Sequence, residues 1–179
     1  AGKPLAALLS PAPSRDVVLS ATLDAAEPVV TAAAAASAHR SGFGCLKVKV
    51  GLSDDAERLL AVRAAIGPQA ALRLDANGAW SVEQAATAQP GLGRFRPELV
   101  EEPVSGLAAL REVRERTSLP LAIDETAADP EALASGVADA VCLKLSRCGG
   151  ISGLLAAAAA ARSAGSRVYL GSTYDGPVG

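Results

Sequence analysis

Five short apolar runs, each ending in an ionisable residue, recur at near-constant intervals along the chain. The steps between them are 26, 26, 23 and 20 residues, counted over Lys49, Asp75, Glu101, Asp124 and Lys144. Each step has room for one strand, one helix and two short loops. Parallel strands connected in this way all end at one rim of the sheet. The spacing therefore predicts a βα array in which these ionisable groups share one site.

The rest of the chain fits the same alternation of strands and helices. Ser53 is the predicted cap of one helix, and Ser81 with Gln84 forms a capping box for the next. Asp129 caps a short helix that begins at Pro130. The predicted strands, separated by six helices, are 17–23, 46–50, 72–75, 99–102, 121–125, 141–145 and 167–171.

Composition and charge exclude several classes of function. The 179 residues are half hydrophobic and carry a net charge of -2, as in a globular chain with a sizeable core. Only 3% of the residues are aromatic and basic residues are not in excess, which argues against a nucleic-acid partner. The alanine runs 32–36 and 156–161 are too short to span a bilayer, so no membrane partner is expected.

The cysteines and the single histidine are predicted to have no catalytic part. Cys45, Cys142 and Cys148 form no C-x-x-C pair, and two of them lie in or beside strand-like runs. We expect free, mostly buried thiols in a reducing, cytoplasmic compartment. His39 falls in the last turn of the first predicted helix, where a solvated role beside the helix end is expected.

The acidic strand ends predict a metal site. Asp75, Glu101 and Asp124 offer hard oxygen ligands from three successive strands. Such ligands suit Mg²⁺, which prefers oxygen in octahedral geometry, whereas zinc would require histidine or cysteine. Three carboxylates packed together would repel one another, and a bound cation would relieve that repulsion.

Lysines flank the acidic residues and predict acid/base chemistry. Lys49 ends the strand before Asp75, Lys144 ends the strand after Asp124, and Lys47 lies on the same strand face as Lys49. A lysine beside a cation releases its proton more readily and can act as a base. Together with Mg²⁺, the two lysines suggest removal of a proton α to a carboxylate in a small-molecule substrate.

Other polar residues at the same rim have less specific signals. Asn77 follows the acidic end of its strand, and Ser172, Thr173 and Asp175 follow the last predicted strand. They are candidate substrate-binding residues, although the last three could instead cap a following helix.

Two further features of the sequence each have two interpretations. Glu102 and Glu125 are either solvated or support the metal ligands, and Gly149-Gly150 forms either a phosphate cradle or a tight turn.

These residues resemble the muconate-lactonizing subgroup of the enolase superfamily. The resemblance rests on segments 47–49, 74–77, 100–103 and 123–126, and on Lys144 followed by Gly149-Gly150. It implies a TIM-type (β/α) barrel of the α/β class in which Asp75, Glu101 and Asp124 bind Mg²⁺, or Mn²⁺ in its place. It further implies that Lys49 and Lys144 are the acid/base pair, with Lys47 in support. Related enzymes often form homo-oligomers, so this assembly is also an expectation.

Two departures from the family pattern lead to expectations about completeness. Residues 1–179 are predicted to be one barrel domain truncated at both ends, with seven strands and no eighth. The N-terminal capping domain that selects the substrate in this family is absent from the sequence, which begins where that domain would join the barrel. A fragment or truncated product of a larger enzyme is therefore expected.

Three functional hypotheses follow from the sequence. The first is cycloisomerisation, epimerisation or dehydration through an enolate, with o-succinylbenzoate synthase and muconate cycloisomerase as the nearest activities and dipeptide epimerase close behind. The second is a Schiff-base aldolase, because Lys144 at a late strand could attack a carbonyl group. The third is a catalytically inert barrel fragment.

Overall fold

Strands and helices alternate along residues 2–173, the part of the chain that the computed structural model describes. The strands are β1 Ser20–Leu23, β2 Cys45–Lys49, β3 Ala71–Asp75, β4 Leu99–Glu101, β5 Leu121–Ile123, β6 Ala140–Leu143 and β7 Arg167–Leu170. The helices are α1 Leu5–Leu9, α2 Pro28–Arg40, α3 Asp55–Ile66, α4 Val82–Gly93, α5 Leu107–Arg116, α6 Pro130–Ala134 and α7 Ile151–Ser163. A 3-10 helix, Glu125–Ala128, lies between β5 and α6.

The seven strands form one parallel sheet in sequential order, curled into a half-barrel with helices. Each neighbouring pair is joined by a crossover connection that contains helix, as parallel pairing requires. Within residues 2–173, β1 and β7 are the two edges of the sheet, and no ladder joins them. The prediction of a parallel α/β array is confirmed, whereas closure into a full barrel is not observed in this part of the chain.

Side-chain alternation along the strands separates an apolar outer layer from a polar inner face. On β2 and β3, Leu46, Val48, Leu72 and Leu74 are fully buried among the residues of the main core. On α3, Leu59 lies on the buried face of the helix and packs in the same core. Burying a leucine side chain contributes about 1.5–3 kcal/mol. The intervening strand residues, which include the charged ones, point to the opposite side of the sheet.

Several predicted element boundaries were wrong, and two of the differences have a clear physical reason. The first strand begins at Ser20 instead of residue 17, because its pairing with β2 starts at Ser20 and the preceding Val18 is 93% exposed. The second crossover helix begins at Asp55 instead of after a Ser53 cap. There the Asp55 carboxylate turns back to accept hydrogen bonds from the N–H groups of Gly51 and Leu52.

Other local signals were confirmed. Ser81 and Gln84 form the capping box of α4 with both hydrogen bonds present, and Asp129 accepts from the N–H of Glu131 at the start of α6. His39 is exposed near the end of α2, as expected. The short helix α1 was not predicted, because its leucines face solvent and therefore show no buried face.

Candidate active site

Three buried carboxylates lie at the carboxyl ends of neighbouring strands. Asp75 ends β3, Glu101 ends β4 and Asp124 directly follows β5. Their exposed fractions are 1%, 0% and 4%. Asp75 is the register partner of Glu101, so these two side chains lie on the same face of adjacent strands. The structure therefore brings the acidic strand ends to one rim, as the sequence predicted.

Two lysines of β2 bind this row of carboxylates from one side. The Nζ atom of Lys47 lies 2.8 Å from Oδ2 of Asp75 and 2.8 Å from Oε1 of Glu101. The Nζ atom of Lys49 lies 2.6 Å from the same Oδ2 of Asp75. Both amines reach one carboxylate because residues two apart on a strand point to the same face.

Lys144 binds the row from the other side. Its amine donates a hydrogen bond to Oδ2 of Asp124. Arg147, which sequence reasoning missed, lies 3.0 Å from Oδ1 of the same carboxylate and 3.7 Å from Glu125. The only sequence signal for Arg147 was its position three residues after a predicted catalytic lysine. Lys49 and Lys144 thus contact different carboxylates, Asp75 and Asp124, on either side of Glu101.

Burial and ion pairing change the protonation of these groups in different directions. Burial alone would lower the pKa of Lys47, but the charges and hydrogen bonds of Glu101 and Asp75 outweigh it and raise that pKa. Burial would raise the pKa of Asp75, but hydrogen bonds from Lys47 and Lys49 lower it. At Glu101 burial dominates, and the charge of Asp75 adds to it, so the pKa of Glu101 is raised. A further cation near Glu101 would therefore stabilise its anionic form.

Glu102 is a buried residue that holds the backbone around Asp124 in place. It is 1% exposed, and its carboxylate accepts hydrogen bonds from the backbone N–H of Asp124 at 2.7 Å and of Thr126 at 3.0 Å. The hydroxyl of Thr126 donates to the same carboxylate. These contacts fix the backbone that carries Asp124, so the supporting interpretation of Glu102 holds. Glu125, in contrast, is exposed.

Tyr169 and Cys142 also lie beside the acidic row and were not predicted. The hydroxyl of Tyr169 donates to Oε2 of Glu101 at 2.9 Å, and the guanidinium of Arg73 lies 4.6 Å from the centre of its ring. The sulfur of Cys142 and one oxygen each from Glu101 and Asp124 lie within 4.8 Å of one another. Inner-face alternation on β6 and β7 is the sequence signal that could have found both residues.

The environment of Cys142 bears on which metal the site would suit. Burial, together with the charges of Glu101 and Asp124, raises the pKa of its thiol to about 12. Burial therefore favours the neutral thiol, which is a weaker metal ligand than the thiolate. The remaining donors are carboxylate oxygens, which match Mg²⁺ or Mn²⁺. Asp75 is not part of this close group, so the set Asp75, Glu101 and Asp124 stays a prediction.

The candidate substrate-binding residues are only partly placed near the acidic row. Asn77 is near it, since its Oδ1 accepts from Lys49 at 2.6 Å and its N–H donates to Asp75 at 3.0 Å. Ser172 and Thr173 follow β7, and Thr173 shares a 2.9 Å hydrogen bond with Ser146. Asp175 lies outside the described residues.

The glycine pair after Lys144 forms a tight turn. Gly149 and Gly150 have φ angles of 71° and 93°, in the left-handed region that favours glycine. The N–H of Gly150 donates to the carbonyl oxygen of Leu145 at 3.2 Å. These features match the tight-turn interpretation made from the sequence.

The family is decided by comparison with known proteins. The family model described as "Enolase C-terminal domain-like" matches residues 30–179. This chain belongs to that family. Its relatives are enolase-superfamily enzymes, so the chain is an enzyme by ancestry. Among the described residues, no helix combines the length and the apolar composition needed to cross a membrane.

Individual relatives of this enolase C-terminal domain-like chain have several named activities. It is 42% identical to the o-succinylbenzoate synthase of Thermobifida fusca over 79% of its own length and 47% of the relative's. It is 36% identical to the L-Ala-D/L-Glu epimerase of Bacillus subtilis over 88% and 46% of the two lengths. The chain thus spans about half the length of these curated relatives.

Solved structures support the same fold. The dipeptide epimerase of Enterococcus faecalis, in a complex with Mg and the dipeptide L-Leu-L-Tyr, superposes with a TM-score of 0.82 and 34% identity. The match covers 88% of this chain and 47% of that one. That relative's structure therefore holds Mg and a dipeptide together.

Proposed function

We propose that this chain supplies the catalytic face of an enolase-superfamily enzyme that removes a proton α to the carboxylate of a small-molecule substrate. The observation that carries the proposal is the pair of lysines, Lys49 and Lys144, which contact different carboxylates of one buried row. Amines on two sides of a bound substrate can remove a proton from one face and return it to the same or the opposite face. Such a pair of amines is compatible with both the o-succinylbenzoate synthase and the epimerase activities named among the relatives.

The surrounding residues orient each amine. Asp75 and Asn77 together fix the Nζ atom of Lys49, with both contacts at 2.6 Å. Asp124 accepts a hydrogen bond from Lys144. Arg147 donates to the other oxygen of that carboxylate and so neutralises part of its charge. Lys47 bridges Asp75 and Glu101 and stays protonated because they raise its pKa. Lys47 is therefore proposed to be a fixed positive charge, while Lys49 and Lys144 transfer protons.

Asp75, Glu101 and Asp124 are the residues that would hold Mg²⁺, or Mn²⁺ in its place. Their buried carboxylate oxygens fit a hard cation. When bound, the ion supplies electrostatic stabilisation of the negative charge that develops on the substrate carboxylate.

Among specific activities, we propose o-succinylbenzoate synthase first and dipeptide epimerisation second. The first choice follows the 42% identity to the Thermobifida fusca o-succinylbenzoate synthase, and the second follows the epimerases found at 36–37% identity. Both reactions begin with proton removal beside a carboxylate, so the same pair of lysines serves either.

Thermal unfolding of the 179-residue chain with and without millimolar Mg²⁺ tests the metal site. An ion that binds only the folded state stabilises it by about 2.7 kcal/mol at 100 times its Kd, so the midpoint should rise. Asp124→Asn should abolish the rise. Glu131→Gln is the matched control, because Glu131 is an exposed carboxylate paired with Arg111 away from the site, and it should keep the rise.

Deuterium exchange at the α-carbon then tests the acid/base assignment. With either epimer of a dipeptide, Lys49→Ala should abolish exchange from one epimer and Lys144→Ala from the other. Equal loss from both epimers in both variants would contradict a two-sided mechanism. The Schiff-base alternative is distinguished in the same samples, because it predicts a borohydride-trapped adduct on Lys144 that needs no metal.

A further inference from the structure

A cavity with a largely apolar lining and three arginines lies at the opposite end of the sheet from the carboxylates. It has a volume of about 280 Å³, and its lining includes Arg63 of α3 and Arg94 and Arg96 from the segment after α4. We call it the arginine cavity. That segment leads into the amino end of β4, whereas the acidic row follows the carboxyl ends of the strands. The arginine cavity is therefore a separate site.

Contacts to the lining hold all three guanidinium groups at this cavity. Arg63 donates to the carbonyl oxygens of Gly67 at 3.1 Å, Ala70 at 2.8 Å and Phe95 at 2.8 Å, so it contributes mainly its charge to the cavity. Arg96 donates to the carbonyl oxygen of Pro68 at 3.4 Å. The guanidinium of Arg94 lies 4.6 Å from the ring centre of Phe95. Such anchoring lowers the conformational entropy that the arginines would lose on binding a ligand.

The positive charge of the cavity is not neutralised by the protein. The lining contains no Asp or Glu, and none of the cavity's arginines forms an ion pair within residues 2–173. Elsewhere in that range, seven arginines pair with carboxylates: Arg58, Arg73, Arg111, Arg114, Arg116, Arg147 and Arg167. Burial lowers the pKa of Arg63, and the nearby positive charge of Arg96 lowers it further. The two guanidinium groups therefore repel each other.

Two further features distinguish the residues that line the cavity. The Nε atom of Arg63 is buried and has no hydrogen-bond partner in the described part of the chain. Arg96 has a φ angle of 49°, in the left-handed region that non-glycine residues seldom adopt. Its N–H donates to the carbonyl oxygen of Gly93 at 2.9 Å, which closes the turn that carries Arg94 and Arg96. Strain of this kind is often found where a ligand is bound.

We infer that the arginine cavity binds a small polyvalent anion through phosphoryl or carboxylate oxygens. The planar guanidinium group can donate paired hydrogen bonds to such oxygens. A bound anion would also offset the repulsion among the arginines. A cavity of about 280 Å³ suits an anion the size of pyrophosphate or a tricarboxylate. Leu60, which is 62% exposed, and the Phe95 ring add an apolar wall beside the charged groups.

Titration of the 179-residue chain with pyrophosphate tests this inference. The readouts are isothermal calorimetry and amide NMR shifts, in EDTA and against sodium chloride of equal ionic strength. We expect saturable binding with shifts centred on residues 63–68 and 94–96. Arg94→Gln with Arg96→Gln should weaken binding by about tenfold or more, because two charged hydrogen-bond donors are lost. Both positions are exposed, so the variant is expected to fold.

The matched control is Arg40→Gln with Arg162→Gln, which removes two exposed arginines from helix ends. This control should bind pyrophosphate as the unchanged chain does. Binding no stronger than the salt effect would overturn the inference. So would equal binding by the Arg94/Arg96 variant, which would place the anion at the lysines of the active site instead. Neither result depends on the proposed catalytic function, because no Mg²⁺ or substrate is used.

Discussion

Replacing Arg58 with methionine should both destabilise the chain and loosen the strand end that carries Lys49. Arg58 is 0% exposed, and its Nη1 donates to the carbonyl oxygen of Lys49 at 3.0 Å. Its other nitrogens bind the carboxylates of Asp54 and Asp55. Asp55 in turn accepts from the N–H of Gly51 at 2.7 Å. A buried ion pair thus fixes the loop that follows β2.

The expected loss of stability depends on which partners of Arg58 remain unpaired after the substitution. Removing one member of a buried ion pair costs about 3–5 kcal/mol, because the remaining charge is unpaired. The side chains of Asp54 and Asp55 are 36% and 16% exposed, so water can partly solvate them. We therefore expect the lower end, about 3 kcal/mol. For a chain of this size that corresponds to a fall in midpoint of about 6–12 °C.

Urea unfolding measures the loss, and amide hydrogen exchange at Gly51 and Leu52 measures the loosening. The matched control is Arg114→Met, because Arg114 likewise has three partners, in its case two backbone carbonyl groups and the carboxylate of Asp139. Its side chain is 31% exposed and remote from Lys49. It should cost clearly less and leave exchange in the β2–α3 loop unchanged. A loss below about 1 kcal/mol for Arg58→Met, equal to that of a surface ion pair, would refute the reasoning.

Two further predictions concern packing and thiol chemistry. Gly171→Ala would place a methyl group 2.9 Å from the sulfur of Cys142 and 3.1 Å from Cε of Lys144, so overpacking should cost about 1–3 kcal/mol in urea unfolding. Gly91→Ala, in α4 with nothing within 4 Å, should instead stabilise by about 0.5–1 kcal/mol, and equal effects would contradict the packing argument. Of the three free cysteines, only the partly exposed Cys148 should react rapidly with a thiol reagent at pH 8. If more than one cysteine per chain reacted rapidly before denaturation, the buried thiols would be shown to be accessible.

Local pattern was enough to predict much of the fold. The capping box at Ser81 and the cap at Asp129 depend on residues within a few positions of each other, so they were visible in the sequence. The buried residues of α5, Leu107, Leu110 and Val113, recur at helical spacing, so they can be read from the sequence. Boundaries were less reliable, as Ser53 shows, because the competing hydrogen bonds of Asp55 to the preceding loop have no distinct sequence signal.

The supporting residues of the site could not be predicted in the same way. Tyr169 contacts Glu101 across 68 residues of sequence, and Glu102 holds Asp124 across 22. Strand alternation can place Tyr169 on the inner face, but it does not show that its hydroxyl reaches Glu101. For Glu102, the sequence left a solvated and a supporting role equally open. Arg58 likewise looks like an ordinary surface residue of an amphipathic helix, and only its burial shows that it binds the carbonyl oxygen of Lys49.

The sequence by itself determined that ionisable residues would meet at one rim, because parallel strands of similar length end together and alternate their side chains. Tertiary structure alone decided how those groups pair. Lys47 and Lys49 share Asp75, while Lys144 and Arg147 share Asp124. Such pairing depends on strand register, sheet curl and burial to within an ångström, and these are set by packing between residues far apart in the chain.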